Sequence, residues 1–550
     1  MQISRSWQSA LRATANFVAI AAIVAGIGLR FAHLDAAPLW VDEIINSLHS
    51  AGYSRLEFSQ AMEDLSGETI TVAELRQYQS AALSGRSLWQ TVSALGQHEP
   101  QSPPLFYAIE HVFDRTLNIE PPAIVLKRLL PVTLSLLGFP CAYWLCWQLF
   151  ESATIARLGT ALYAVSPIQF IYARELRMYG LWAVELMVLT AVFLLALRRP
   201  TRSRWIAYGL TAMVGLYTFP FTLFAIAAHG VYLAAVDWGE WRKRFWRFAV
   251  SSFAALVLYS PWLWCIVNID DDDMNDWRTK SIPLRSLVTS WAHNLVQAFY
   301  LPVSDPGTGN ADEIVALALS GLAAIAVLCA LFATALVLVR HRDRRAGFLL
   351  LLVAAIPFGV LAVSDLMAGG IRSIVDRYLM ASYLSLQISV AAGLGRWFER
   401  GTPQSHSRRA IGTTVAAPVA IVLLVLGTVA CWQLSRVPTM PHHARNENYR
   451  EIARTLAANP DTPMLFVGES KHLALLTLSH ELDDTTPIQL VHPKDIETVQ
   501  QCQTQDVFAF VPVSDTRRAF LDRLEDRCQA QSEEIIPGAH PLWKLTPTLP

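Results

Sequence analysis

Charge is scarce in this chain: Asp, Glu, Lys and Arg make up 16% of its 550 residues, against 53% hydrophobic residues. That is too little polar surface for a soluble protein of this size, and with a positive mean hydropathy the chain reads as a polytopic membrane protein. A basic excess is also missing. The formal net charge of −1 leaves nothing to neutralise a phosphate backbone and argues against nucleic acid as a partner; lipids and lipid-linked molecules are the better candidates. No CxxC pair or Cys/His metal signature occurs. Five of the seven cysteines (Cys141, Cys146, Cys265, Cys329 and Cys431) lie in apolar runs and read as small hydrophobes. Cys502 and Cys528 fall in the polar C-terminal region and could pair if that region is extracytoplasmic. Arg5 and Arg12 precede an apolar run from Phe17 to Leu29, but a convincing cleavage site is lacking, so this run reads as an uncleaved first helix. Internal repeats and low-complexity segments are absent as well.

What is present is a series of apolar runs separated by basic loops. The loops "RRPTRSR" (198 to 204), "WRKRFWR" (241 to 247), "RHRDRR" (340 to 345) and "RWFERGTPQSHSRR" (396 to 409) are all assigned to the cytoplasmic side. Between them, and with the first helix, lie about eleven runs of spanning character: 129 to 150, 153 to 170, 178 to 197, 205 to 218, 219 to 236, 247 to 267, 313 to 339, 348 to 364, 378 to 395 and 411 to 432. Starting inside, alternation puts every basic loop inside, provided that 205 to 236 bends at Phe219-Pro220. The stretch "PPLFYAIEHVFDRTL" (103 to 117) is short and carries Glu110, His111, Asp114 and Arg115, so it is expected as an interfacial amphipathic helix. A further helical stretch is expected near 71 to 84. The fold class is thus an all-α polytopic membrane domain (residues 1–432) with a long first extracytoplasmic loop (34–126), plus a small extracytoplasmic α/β domain (433–550). In the tail, "PMLFVG", "IQLVHP" and "DVFAFVP" read as strands, and "HLALLTLSHEL" and "DTRRAFLDRLEDRC" as helices.

Ionisable residues at membrane level are costly and are functional candidates. Parity sends one set to the outer face: Asp42 and Glu43 after the first span, His98 and Glu99 before the Pro-Pro helix, Lys127 and Arg128, then Arg174, Glu175, Arg177 and Tyr179, and finally Arg372, Asp376, Arg377 and Tyr378. An anionic membrane-embedded substrate suits such a set, because Arg forks hold phosphate and a carboxylate takes a proton from an attacking hydroxyl. Each member also has a plainer reading. The Asp-Glu pair can cap a helix, Arg174 and Arg177 can snorkel to headgroups, and Arg377-Tyr378 can anchor at the interface. "DDDMND" (271 to 276) reads as a solvated turn, with a divalent-cation site as the alternative.

The ordered set "LWVDE", "HEPQSPPLFYAIEH", a basic residue opening the second span, "SPIQFIYARELRMYGLW" and "DRYLMASYL" resembles the bacterial GT-C glycosyltransferases of the protein O-mannosyltransferase-like, ArnT/RgtA-like kind. The resemblance covers about residues 17 to 400. It implies a polytopic enzyme of the bacterial inner membrane that takes a sugar from a polyprenyl-phosphate carrier and transfers it, on the extracytoplasmic face, to an envelope glycan, lipid or protein. By the same resemblance Asp42 is the catalytic acidic residue, first of its Asp-Glu motif. Arg174 and Arg177 meet the carrier phosphate, together with Lys127, Arg128 and Tyr179, and Arg377 is the late arginine of the family. The second motif has Ser102 where the commoner form has His, so His98, Glu99 and Gln101 share its positioning part with Arg372 and Tyr378. Asp42 would act as general base in a single inverting displacement. Glu43, turned about 100° away on a helix, would orient a partner or ligate a metal, for which a divalent ion is the candidate. Rival readings are an O-antigen ligase or polymerase, a lipid-linked sugar transporter or flippase, and a non-catalytic scaffold. The first favours a large late external loop, and the second favours mid-bilayer charges and inverted repeats.

Overall fold

In lipid every backbone N–H and C=O must be satisfied within the segment, and a helix does this for an apolar run of any composition. A computed structural model accordingly shows a predominantly helical chain with one small sheet. It describes residues 5–121, 123–236, 241–268, 282–302, 311–340, 343–399, 408–437, 448–468, 472–499, 501–512, 517–538 and 540–548. The acidic stretch 271 to 276 lies outside the described residues.

In chain order the elements are α1 (Arg5–Phe31), α2 (Val41–Ser50), α3 (Arg55–Asp64), β1 (Thr69–Thr71), α4 (Val72–Leu75), α5 (Leu88–His98), α6 (Leu105–Leu117), α7 (Ile124–Leu136), α8 (Gly138–Phe150), α9 (Ala153–Ala164) and α10 (Pro167–Arg174). They continue with α11 (Tyr179–Arg198), α12 (Arg202–Thr218), α13 (Thr222–Val236), α14 (Trp241–Val267), α15 (Leu284–Gln297), α16 (Ala311–Arg340), α17 (Arg344–Ala368), α18 (Met380–Glu399) and α19 (Arg408–Leu434). The tail adds α20 (Tyr449–Ala458), β2 (Met464–Val467), α21 (His472–Ser479), β3 (Pro487–Val491), β4 (Val507–Phe510), α22 (Arg517–Cys528), β5 (Ala530–Ile536) and β6 (Leu542–Pro547).

The chain divides into two units, one of Met1–His33 with Pro131–Arg436 and the other of Leu34–Leu130 with Val437–Pro550. Among the described residues, 8 helical segments are long and apolar enough to cross a membrane: α1, the α7–α8 stretch, α11, α14, α16, α17, α18 and α19. The other three expected runs are helical but shorter. Residues 153 to 170 break between α9 and α10, because Pro167 has no N–H to continue the ladder and Ser166 restarts a helix by accepting from the Gln169 N–H at 3.4 Å. Residues 205 to 236 break at Phe219-Pro220, where Phe219 is extended, leaving α12 with 17 residues and α13 with 15.

Close approach in the helical unit rests on small residues. A Cβ on Gly26 would come within 2.4 Å of the Ala164 carbonyl oxygen, so only glycine lets α1 reach the end of α9. There the fully buried Arg30 donates to that same carbonyl at 2.8 Å and to Gly26 O at 2.7 Å.

The second unit is built on a six-stranded sheet of order β1-β3-β2-β4-β6-β5. Its centre, β3-β2-β4, is parallel, and β1, β6 and β5 run antiparallel to their neighbours. Strand periodicity sorts the side chains onto two faces. Met464, Phe466, Ile488, Leu490, Phe508 and Phe510 face a core completed by Leu39, Ile44, Leu48, Phe58 and Ile70. Leu465, Val467, Val491, Val507 and Ala509 face one closed by α22. Cys502 and Cys528 are joined in a disulfide.

Residues 34–126, read from the sequence as the first extracytoplasmic loop of the membrane domain, thus fall in a segment, Leu34–Leu130, that shares a core and a sheet with the tail. The helix expected near 71 to 84 is instead β1, the single-turn α4 and a 3₁₀ turn at Arg76–Tyr78. Gly67, at φ +90, turns the chain so that Thr69–Thr71 pairs with β3, a tertiary partner no local pattern announces.

Candidate active site

In the sheet-containing unit the candidate residues gather around α2. Trp40 is extended and starts the helix, and its N–H donates to Glu43 Oε2 at 3.2 Å, so the Glu serves as cap. Asp42 is half-buried in the same first turn, where the helix dipole favours a negative charge. Glu43 is fully buried and bound by Arg128, whose Nε reaches Oε1 at 2.9 Å and whose Nη2 reaches Oε2 at 2.6 Å. Arg128 also donates to Leu34 O at 2.7 Å, Ala37 O at 2.8 Å and Pro38 O at 3.0 Å. All five guanidinium N–H groups are therefore engaged within the chain. The residue read as a phosphate ligand fastens the segment that leads into α2.

Lys127 is likewise taken. Its Nζ sits 2.9 Å from Asp114 Oδ2 and 3.3 Å from Glu110 Oε1, all three groups being buried. Glu110 and Asp114 are four residues apart on α6 and so share a face. Asn46 of α2 donates to Glu110 Oε2. Burial foremost pushes the Glu110 carboxyl up to about 7, with Lys127 opposing and Asp114 reinforcing.

His111 Nδ1 donates to Ser50 O at 2.8 Å. His49 directs Nδ1 at Tyr53 O, 3.0 Å away, and Nε2 at Glu99 Oε2, also 3.0 Å away. Burial alone would raise the Glu99 carboxyl, but His49 and Arg55 beside it hold it down at about 2. His98, which ends α5, and Gln101 are half-buried. Asn46, His49, Glu110 and Asp114 are polar site-shell residues that the sequence reading left without a role. Their one signal was the i, i+4 acid pair on α6 ahead of a basic residue.

In the helical unit the second group forms where α10 meets α11. The Ser166-Pro167 restart makes α10 end at Arg174, and Glu175 to Met178 form a tight non-helical turn before α11. Arg174 and Arg177 are both buried. Arg174 donates to Ala32 O and His33 O, each at 2.8 Å, and lies 4.9 Å from the Phe170 ring centre. Arg177 lies 5.7 Å from the Tyr179 ring centre.

An aromatic chain ties this turn to the 3₁₀ turn Asp376–Leu379. Tyr172 packs on Tyr179 at 5.3 Å, Tyr179 on Phe219 at 5.6 Å and Phe219 on Tyr378 at 6.3 Å. Tyr378, the chain neighbour of Arg377, is thereby linked through Phe219 and Tyr179 to the turn that carries Arg177. Tyr383 donates to Asp376 Oδ1 at 2.7 Å. Arg372 donates to Gly369 O at 3.0 Å and sits 3.4 Å from Asp365, so it braces its own loop.

A divalent ion is not matched by these donors: both Glu43 oxygens face Arg128 or the Trp40 N–H. Among the described residues no group of three or more His, Cys, Asp or Glu is arranged to hold a metal.

No protein-family model matches the chain, and no curated protein matches it by sequence. Solved structures do share its fold. The crystal structure of ArnT from Cupriavidus metallidurans bound to undecaprenyl phosphate superposes with a TM-score of 0.51 at 13% identity, over 100% of this chain and 99% of that one. The arabinofuranosyltransferase AftD from Mycobacteria superposes with a TM-score of 0.50 at 14% identity, over 99% of this chain and 40% of that one. The fold is that of the GT-C glycosyltransferases.

Proposed function

We propose, from that fold, that the chain is a membrane glycosyltransferase that moves a sugar from a polyprenyl-phosphate donor to an acceptor on the extracytoplasmic face. The observation that carries the reading is the cluster in the helical unit, where buried Arg174 and Arg177 flank a turn that is linked, through Tyr179 and Phe219, to Tyr378, the chain neighbour of Arg377. Two buried guanidinium groups, Arg174 ending α10 and Arg177 in the turn that follows it, make a preformed seat for a phosphate. ArnT, whose fold this chain shares, was crystallised with undecaprenyl phosphate.

In the proposed reaction Asp42 accepts the proton of an acceptor hydroxyl or amine as that atom attacks the anomeric carbon. The bond from that carbon to the phosphate oxygen breaks, and its electron pair leaves with the polyprenyl phosphate, inverting the configuration. Arg174, Arg177 and Arg377 stabilise the charge gained by the departing phosphate. A positioned base contributes about 10²- to 10⁴-fold. Lys127 and Arg128 move from the phosphate to a supporting part: Arg128 holds Glu43 and the 34–38 segment, and Lys127 holds α6 against α2. Glu99 and His49 brace the end of α5 against α2. The proposed steps run through side chains, since the donors around Glu43 do not fit a metal centre.

The test is transfer by purified protein from a panel of polyprenyl-phosphate sugars, with released carrier as readout. Wild type releases carrier with at least one donor. Asp42→Asn, at equal membrane expression, is expected to lose the 10²- to 10⁴-fold that a base supplies. Full activity of that variant would remove Asp42 from this role.

A further inference from the structure

The helical unit holds a second feature, built of different residues. A cavity of about 1300 Å³ lies among α13, α15, α16, α17 and α18. Its wall is mostly hydrocarbon: Val288, Leu295, Leu331, Phe348, Leu351 and Phe358 contribute side chains. The polar side chains along it turn to protein partners. Trp291 Nε1 donates to Ser373 Oγ at 3.0 Å, Ser382 Oγ donates to Ala354 O at 2.7 Å, and Thr334 Oγ1 donates to Ala330 O at 2.7 Å.

One end of the cavity is different in kind. Arg344 and Arg345, in the first turn of α17, line it and are exposed. The neighbouring carboxylate is already taken, because Asp343 Oδ2 and Oδ1 accept from Arg396 Nε at 2.7 Å and Nη2 at 2.8 Å. No acidic residue stands in the first turn of α17. Two exposed cations thus sit at the positive end of a 25-residue helix whose cap residue, Asp343, is already paired with Arg396, so an anion from outside the chain is favoured beside them. Among the described residues Arg344 and Arg345 have no ion-pair or hydrogen-bond partner.

We propose that this cleft is a binding site for an anionic diacyl phospholipid, with the headgroup phosphate on Arg344 and Arg345 and the acyl chains along α17 and α18. From Arg344 to Phe358 the lining follows α17 for about 21 Å at 1.5 Å per residue. One leaflet of the hydrocarbon core is about 15 Å deep, so acyl chains fit lengthwise. The loop ahead of α17 is one of the basic ones that parity puts on the cytoplasmic side, where anionic lipids concentrate and basic pockets between helices collect them. None of the lining residues belongs to the proposed transfer machinery, so the site stands or falls apart from it.

The test uses the full chain, delipidated in neutral detergent, with lipid binding followed by native mass spectrometry and by thermal shift. Phosphatidylglycerol is expected to bind and raise the melting temperature, and phosphatidylcholine to bind more weakly. Removing one arginine is expected to weaken phosphatidylglycerol binding about fivefold, and Arg344→Ala with Arg345→Ala about 25-fold. Ala355→Trp, filling an exposed position on the cleft wall, is expected to abolish binding with both arginines intact. Equal binding of the two lipids, wild-type affinity in the double variant, or wild-type affinity in Ala355→Trp would each overturn the proposal. So would displacement of phosphatidylglycerol by an equal concentration of undecaprenyl phosphate, which would give the cleft to a carrier lipid.

Discussion

Two arginines of this chain show how far a residue type predicts its use. Arg128 and Arg174 both open or close helices next to apolar runs, and from sequence both suit a phosphate. Arg128 has all five N–H groups on Glu43 and three carbonyls of one short segment, so truncating it would leave a buried carboxylate uncompensated, at a cost of about 3–5 kcal/mol. Glu99 lends itself to a quantitative test. His49 and Arg55 hold its carboxyl at about 2 in the folded chain against the burial that opposes them, and an unfolded Glu titrates near 4.3. A depressed folded-state pKa means the ion pair stabilises above the unfolded value, and that contribution is lost as pH falls from about 4.3 toward about 2. The lowering corresponds to about 3 kcal/mol. Unfolding of the detergent-solubilised protein between pH 6 and pH 3 is expected to show wild type losing stability more steeply than Glu99→Gln. Parallel curves would mean that the ion pair contributes nothing.

Among the elements, those set by local chemistry were legible. The Phe219-Pro220 bend, the amphipathic α6 and the central strands of the tail follow from prolines and periodicity, whereas the Ser166-Pro167 restart divides a run read as continuous. The elements that depend on a distant partner were not. β1 is three residues long and exists because β3 accepts it. The apolar side of α2 is buried by α21 and by the sheet face of Phe466 and Phe508. Arg450 of α20 donates to Asp35 O at 2.6 Å and Ala36 O at 2.5 Å, just ahead of α2. Deleting Val437–Pro550 would therefore strip the partners from Leu39, Ile44, Leu48, Phe58 and Ile70. Limited proteolysis of the truncated protein in membranes is expected to cut rapidly between residues 55 and 98, a stretch protected in the full chain. Equal protection would show that residues 34–130 fold without the tail.

At the scale of the whole molecule, the basic loops and the disulfide make one joint claim about sidedness. Charge parity predicts that the tail lies outside, and a Cys502–Cys528 bond is of the kind that persists in an oxidising compartment. Closing a loop with a sequence separation of 26 contributes about 3.5 kcal/mol in the chain-entropy account. In intact cells treated with a membrane-impermeant reductant, an impermeant maleimide is expected to label both cysteines. It should not label them without reductant, nor in a variant carrying Cys502→Ser and Cys528→Ser. Labelling only after cell lysis would place the tail inside and reverse the topology.

Composition, charge pattern and a handful of short motifs were enough to read this chain as a multi-pass membrane protein and to pick out its basic loops, its apolar runs and the bend at Phe219-Pro220. Those are local properties, written in hydropathy, proline and helix-capping chemistry. Only the tertiary structure decided which charges are committed to the chain itself: Arg128 to Glu43, Lys127 to the α6 carboxylates, Asp343 to Arg396. It also decided that the first loop shares a core with the tail. An ion pair between buried groups depends on distance and desolvation, and neither exists until remote segments are packed.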